Sequence, residues 1–292
     1  MKIGIVGLGL IGGSFAKAIR QNTDHSVYGT DLRREVTGRA IAVEAIEGEL
    51  TPGVLAQCDL VIIALYPQDT IDYLMANRKG FRKGAVVMDC CGVKEMVCRH
   101  AQPIASANGF HFLGGHPMAG REFSGFEYSQ KSLFRHASMI LTPLSDFPKM
   151  EEEKLTRFWV SLGFSNIQVT TPTDHDRIIA YTSQLAHIVS SSYVKSPAAL
   201  EHEGFSGGSF KDLTRVAGLN EDMWTELFLL NRENLTNEIE GIIGRLEAYR
   251  DAISTGDREA LWSLLRVGTL KKMTLEGKVQ GGGADKNARS SP

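Results

Sequence analysis

The stretch Lys2–Gly13, KIGIVGLGLIGG, decides the fold. Lys2 to Gly7 carries Ile3, Ile5 and Val6, the short apolar run of a buried strand, and passes without a spacer into a glycine-rich turn. Gly7, Gly9 and Gly12 form GLGLIG. In a dinucleotide-binding unit the first glycine permits the turn, the second lets backbone approach a pyrophosphate, and the third lets helix and strand pack closely. Backbone N–H groups of the turn and the N-terminus of the helix beyond it can hold phosphate without a basic side chain, so Gly7, Gly9, Leu10, Ile11 and Gly12 are candidate cofactor contacts. Alone, such a pattern serves a structural turn as readily as a nucleotide. Its position after the first strand and the acid at Asp31 favour the nucleotide.

Asp31 closes a second strand predicted over His25 to Thr30, where an acid meets the adenosine ribose hydroxyls. A carboxylate there favours NAD, because the extra phosphate of NADP would bring like charge against it. Arg33 and Arg34 keep the opposite preference open, since they can receive a phosphate if Asp31 turns away. FAD occupies related folds, so the fingerprint narrows the cofactor without naming a reaction.

Outward from this turn, Ser14 to Arg20 suits a helix, and Leu60 to Leu65, Ala85 to Met88, His111 to Leu113 and Ser138 to Leu141 read as further strands. Pro67 to Met75 and Lys94 to Ala101 are crossover helices between them. Apolar strands alternating with crossovers imply a mostly parallel sheet covered on both faces, an α/β, Rossmann-like domain. Glu151 to Leu162 adds a helix and Ile167 to Thr170 a last strand. Beyond Thr171 the pattern changes to long helical periodicities over Asp174 to Val194, Asn220 to Tyr249 and Asp257 to Thr274. The expected organisation is a dinucleotide-binding domain over 1–171, an all-helical domain over 172–276 whose apolar faces suit a second subunit, and a flexible tail over 277–292.

With 292 residues, 42% of them hydrophobic, the chain can bury a substantial core. Its formal charge of −2 gives no global attraction to nucleic acid or anionic lipid. Four cysteines without a CxxC pair supply neither a disulfide framework nor a metal spacing. No cleavable signal or membrane-length apolar run is read, so the expectation is a cytoplasmic protein without membrane or nucleic-acid partners.

GGHPMAG, Gly114 to Gly120, is the most informative remaining segment. It follows a predicted strand at the ligand-facing edge of the sheet, with Pro117 restraining the backbone and the glycines permitting close turns. His116 is thereby expected on a shaped loop, where an imidazole can accept a hydroxyl proton while hydride leaves the same carbon for a nicotinamide. On the residues alone, His116 serves equally well as a loop organiser through a backbone hydrogen bond.

The combined segments GLGLIGGS, HPMAG, SQLAH, FKDLTRVA and EDMW resemble the prephenate and arogenate dehydrogenases of bacterial tyrosine biosynthesis, over most of the chain. The resemblance implies a Rossmann domain joined to a helical dimerisation domain, a homodimer, and NAD-dependent oxidative decarboxylation of a cyclohexadienyl carboxylate, with no metal. It identifies His116 with the catalytic base of the family. His187, in SQLAH, matches a substrate-binding histidine; read by itself it is a hydrogen-bonded packing residue of an apolar helix. Gln184 stands where many relatives carry another histidine and cannot hold an imidazolium charge. Arg215 matches the arginine that receives the ring carboxylate, a role suited to its planar donor fork. Without the resemblance, Lys211, Asp212 and Arg215 fit a surface ion-pair network equally well. Asp212 matches a position near the subunit boundary, and Trp224 is either a pocket wall or part of the helical core.

One departure stands out in DCCGVK, Asp89 to Lys94. A common family pattern has serine at Gly92, which offers no side-chain hydrogen bond. Cys90 and Cys91 have neither a local base nor a metal constellation to make them nucleophiles or ligands. The resemblance thus implies prephenate dehydrogenase, yielding 4-hydroxyphenylpyruvate, with arogenate dehydrogenase as the nearest alternative. A β-hydroxyacid dehydrogenase relying on Lys195 and a noncatalytic NAD-responsive regulator are more distant ones.

Overall fold

The structure, a computed structural model, describes residues 1–121 and 123–277. Among the described residues a single eight-stranded sheet is formed by β1 (Lys2–Val6), β2 (Ser26–Thr30), β3 (Gly48–Glu49), β4 (Leu60–Ile63), β5 (Val86–Asp89), β6 (His111–Pro117), β7 (Ser138–Pro143) and β8 (Asn166–Val169). Its order is β3-β2-β1-β4-β5-β6-β7-β8. The first six strands run parallel, β7 is antiparallel to β6, and β8 is parallel to β7. The strand order reverses between β1 and β4, and in open α/β sheets ligands bind outside the carboxyl ends of the strands at such a switch point.

Side chains alternate across the sheet. Ile3, Ile5, Leu60, Ile62, Val86 and Met88 belong to one buried layer, with Val61, Ile63, Val87 and Phe112 on the other. Helices α1 (Leu10–Asn22), α2 (Arg34–Ala42), α3 (Pro52–Leu55), α4 (Pro67–Asn77), α5 (Glu95–Asn108) and α6 (Lys149–Ser161) supply the cover. Phe15 of α1 and Trp159 of α6 fill the first layer, while Leu74 of α4 and Val97, Ala101 and Ile104 of α5 fill the second. Both faces are thus covered, which is why these strands read as continuous apolar runs.

After β8 the chain is helical through α7 (Pro172–Ile179), α8 (Ala186–Tyr193), α9 (Gly208–Thr214), α10 (Glu221–Leu230), α11 (Arg232–Thr255) and α12 (Arg258–Leu275). Thr171 caps α7 by accepting from Asp174 N, with Pro172 in the first turn. Asn220 caps α10 and Asp257 caps α12 in the same way. The described chain separates into two compact units, Met1–Leu235 and Thr236 onward. This division comes later than the change of pattern expected at 171/172, because α7 and α10 bond into the unit of the sheet. Asp176 accepts from Lys94 N, and Gln68 N donates to Glu226.

Several elements differ from expectation. Asp174 to Val194 is not one helix: a π-helical turn over Ala180–Leu185 separates α7 from α8. Asn220 to Tyr249 breaks at Asn231, whose side chain bonds the backbone of α7. The two-residue β3 and the antiparallel setting of β7 are invisible in local pattern. The expected tail lies, Gly277 apart, outside the described residues. Among the described residues no helix is long and apolar enough to cross a membrane.

Candidate active site

The glycine-rich turn sits where β1 hands over to α1, at the switch point. Gly7 has φ of 83°, and a Cβ there would lie 2.5 Å from Ala64 O at the end of β4. A Cβ on Gly12 would fall 1.9 Å from Gly7 O, so helix and turn can touch only without one. Gly9, by contrast, faces open space: nothing lies within 4 Å of a Cβ built on it. Gly9 is the N-cap of α1 and makes no side-chain cap, so among the described residues the backbone at Leu10 and Ile11 opens a helix N-terminus that no side chain caps. This is the cradle a pyrophosphate requires.

Asp31 directly follows β2. Its Oδ2 accepts from Leu8 N at 2.9 Å and its Oδ1 from Arg33 N at 3.0 Å, locking the carboxylate beside the turn. Arg33 Nε approaches the same carboxylate at 3.7 Å. Asp31 is therefore not turned away, the condition on which a phosphate preference rested.

His116 is not on a loop. It is the penultimate residue of β6, opposite Ile140 of β7, because the preceding glycines serve close strand packing instead of a turn. A Cβ on Gly114 would sit 2.1 Å from Thr142 Oγ1, and one on Gly115 2.7 Å from Met88 Sδ. The strand thus runs four residues beyond the predicted run of His111 to Leu113 and delivers His116 to the carboxyl edge shared by β1, β2, β4 and β5.

Behind His116 lies a buried polar network. His116 Nδ1 lies 2.9 Å from His175 Nε2, and His175 Nδ1 lies 2.6 Å from Asp176 Oδ1. Asp176 Oδ1 also accepts from Lys94 N at 2.7 Å, and Oδ2 accepts from Glu95 N at 2.9 Å, both at the start of α5. Lys94 and Asp89 form a fully buried ion pair, and Asp89 further accepts from Cys91 N and Gly115 N. Burial works against the Lys94 ammonium, yet the Asp89 carboxylate, with Cys91 and Cys98 nearby, leaves its pKa raised. Burial pushes His116 well below the usual imidazole value, with His175 and Lys94 adding to the effect. His175 is lowered too, by burial first, against the pull of Asp176. Both rings are consequently neutral near pH 7. The Cys90 and Cys91 thiols are pushed up, chiefly by burial, which leaves them inert.

His187 and Arg215 form a second group. His187 on α8 places Nδ1 3.0 Å from Val216 O, next to Arg215, and its ring lies 4.1 Å from that of Trp224 on α10. Arg215 is exposed and, among the described residues, makes no ion pair, so the surface network read as an alternative for Lys211, Asp212 and Arg215 is absent there. No hydrogen bond, ion pair or ring contact joins His116 directly to His187 or Arg215 among the described residues. The groups are connected through Asn231, whose Nδ2 donates to Asp176 O and to Gln184 Oε1, and through Gln184, whose Nε2 donates to Leu227 O. Gln184 thus has a structural task, bridging α10 to the helical segment that carries His187. The space beside Gly92 is filled by Leu227, whose Cδ2 would lie 3.3 Å from a Cβ at that position.

Sequence reasoning missed His175 and Asp176, although the polar run TDHD at the start of α7, in front of an apolar helix, was visible. It also passed over Asp89 and Lys94 as a buried pair. Lys195, on which the β-hydroxyacid reading depends, lies exposed in a turn after α8.

A mostly parallel sheet with a glycine-rich turn at its switch point, an acid after β2 and a neutral histidine on the same edge defines a dinucleotide-dependent dehydrogenase with a helical C-terminal region. Residues 15–167 match the family description "Prephenate dehydrogenase, nucleotide-binding domain", and residues 171–267 match "Prephenate dehydrogenase, dimerization domain". The chain belongs to the prephenate dehydrogenase family. It is 28% identical over 267 residues to the prephenate dehydrogenase of Bacillus subtilis, covering 88% of this chain and 71% of that one. The crystal structure of prephenate dehydrogenase from Aquifex aeolicus in complex with hydroxyphenyl propionate and NAD+ is similar with a TM-score of 0.83 and 29% identity, covering 94% of this chain and 98% of that one. Synechocystis arogenate dehydrogenase is similar with a TM-score of 0.80 and 25% identity, covering 94% and 100%.

Proposed function

We propose that the protein is an NAD-dependent prephenate dehydrogenase, converting prephenate to 4-hydroxyphenylpyruvate with release of carbon dioxide, as a step toward tyrosine. The observation that carries this reading is the neutral His116 on the carboxyl edge of the sheet, in a chain of this family. The turn of Gly7, Gly9 and Gly12, with the backbone of Leu10 and Ile11, fits a pyrophosphate, and Asp31 fits the ribose hydroxyls of NAD. When bound, the nicotinamide supplies the hydride acceptor. His116 takes the proton of the ring hydroxyl as hydride leaves the same carbon. The ring carboxylate then departs as carbon dioxide, and its bonding electrons complete the aromatic ring. Arg215 receives that carboxylate through its guanidinium fork, and His187, held by Val216 O and Trp224, borders the side-chain end of the substrate.

The boundary between a nucleotide-binding domain at 1–171 and a helical domain at 172–276 belongs to the same reading. So does a homodimer: the second compact unit exposes Leu246, Ile253, Trp262 and Leu265 on α11 and α12, apolar surface suited to a second copy. Arogenate is the second substrate to test, because an arogenate dehydrogenase matches this chain nearly as well as the prephenate enzymes do. Initial rates with prephenate and arogenate, each crossed against NAD and NADP, decide the matter. Prephenate with NAD is expected to give the highest kcat/KM, and turnover of neither acid overturns the reading.

A further inference from the structure

The contacts behind His116 form a directed chain. Asp176 accepts backbone N–H bonds on both oxygens at the start of α5. As a carboxylate it has only acceptors, so the 2.6 Å contact to His175 requires the proton on His175 Nδ1. Neutral His175 then has a bare Nε2, which can only accept. The 2.9 Å contact between His116 and His175 therefore requires the proton on His116 Nδ1. A neutral His116 with its proton on Nδ1 has an unprotonated Nε2, the nitrogen that must be bare to take a proton from substrate.

We propose that His175 and Asp176 are positioning residues that hold His116 in the tautomer with a free Nε2, so that the ring always presents a base to the substrate hydroxyl. The proposal rests on the assignment of His116 as the base and deepens it. In the reaction the hydroxyl proton moves to His116 Nε2, while Nδ1–H keeps donating to His175 and no proton reaches Asp176. The chain also fixes the imidazole plane, since turning the ring about its Cβ–Cγ bond would break the bond to His175. Anchoring is firm because Asp176 is tied to α5 and its carbonyl oxygen accepts from Asn231. Nothing here depends on a side chain at Gly92: a bond to one ring nitrogen suffices to set the state of the other.

The test combines spectroscopy with two variants of the full-length enzyme. Nitrogen-15 NMR of histidine-labelled wild type, with His116 assigned by loss of its signals in His116→Asn, should show Nδ1 protonated and Nε2 bare at pH 7.5. A proton on Nε2 overturns the proposal. His175→Leu removes the acceptor and should lower kcat by at least about tenfold, out of the roughly 10²–10⁴ that a positioned base contributes, leaving KM and NAD affinity within about twofold. His175→Gln, whose carboxamide oxygen can accept from His116 and whose nitrogen can donate to Asp176, should recover most of that loss. Unchanged kcat in folded His175→Leu, or equal losses in both variants, overturns the positioning role. If His175→Leu fails to fold, the wild-type spectrum still decides the tautomer. Absence of turnover by wild type with either acid would defeat the functional reading instead, and the spectrum would remain interpretable.

Discussion

The two ends of the candidate site are built on opposite principles. Around His116 every named polar partner is buried and paired: Asp89 with Lys94, Asp176 with two backbone donors and His175. Around Arg215 the charged side chains of Lys211, Asp212 and Arg215 itself are exposed, while His187 is held against Val216 O and Trp224. A general base needs one fixed orientation and one protonation state, which a dry, fully satisfied network supplies. A carboxylate receptor instead needs free donors when the ligand arrives, and an arginine already paired within the protein would have to break that pair first. Under the proposed roles, the difference teaches that the first end is preorganised by folding and the second is to be completed by substrate.

The sharpest way to break this comparison is at the buried end. His116→Asn should reduce kcat by about 10²–10⁴-fold while leaving NAD affinity intact, as measured by steady-state rates and by fluorescence titration of the cofactor. Near-normal turnover would remove His116 as the base. At the open end, Arg215→Ala should cost about 2 kcal/mol or more in kcat/KM, roughly 30-fold, without changing thermal stability. A lowered Tm with unchanged kcat/KM would make Arg215 a structural residue and erase the contrast.

A smaller effect is expected at the nucleotide turn. Asp31→Asn keeps an acceptor for Leu8 N and removes the charge, so the ratio of kcat/KM for NAD to that for NADP should fall by about tenfold, an order-of-magnitude value for relief of one like-charge contact. No change in that ratio would take cofactor choice away from Asp31. An effect of a different kind, on folding and not on rate, is in stability against pH. His116 and His175 are depressed below the ordinary value of 6.5, so below that pH the unfolded chain binds protons that the folded chain refuses. Stability they contribute above pH 6.5 is then lost as pH falls toward their folded values, by at most about 1.4 kcal/mol per pH unit for each ring. Urea unfolding between pH 7.5 and 5 measures it, and a flat profile would show that the rings are free to charge.

The parallel sheet was legible because strands buried on both faces must be apolar throughout, as β1 and β4 are, and because glycines at 7, 9 and 12 leave few other conformations for the turn. What sequence could not show was distance. Gly114 and Gly115 read as turn residues, yet they are small so that β5 and β7 can crowd against β6, a fact that lies in Met88 and Thr142. His175 and Asp176 looked like ordinary polar residues of a helix start. Their importance arises only when α7 meets α5, across 82 residues of chain between Lys94 and Asp176. Lys94 gave no sign of burial, since a lysine becomes an interior residue only when a carboxylate, here Asp89, is folded against it.

The π-helical turn at Ala180–Leu185 acts as a phase shifter. One surplus residue in a helix rotates everything downstream by about 100°. Ahead of that shift the helix serves the sheet through Asp176, and after it the same helix aims His187 at Trp224. Deleting a single residue from 180–183 would therefore swing His187 off its aromatic neighbour without removing Gln184, His187 or Trp224, so the spacing of this segment sets that contact as much as any side chain it carries.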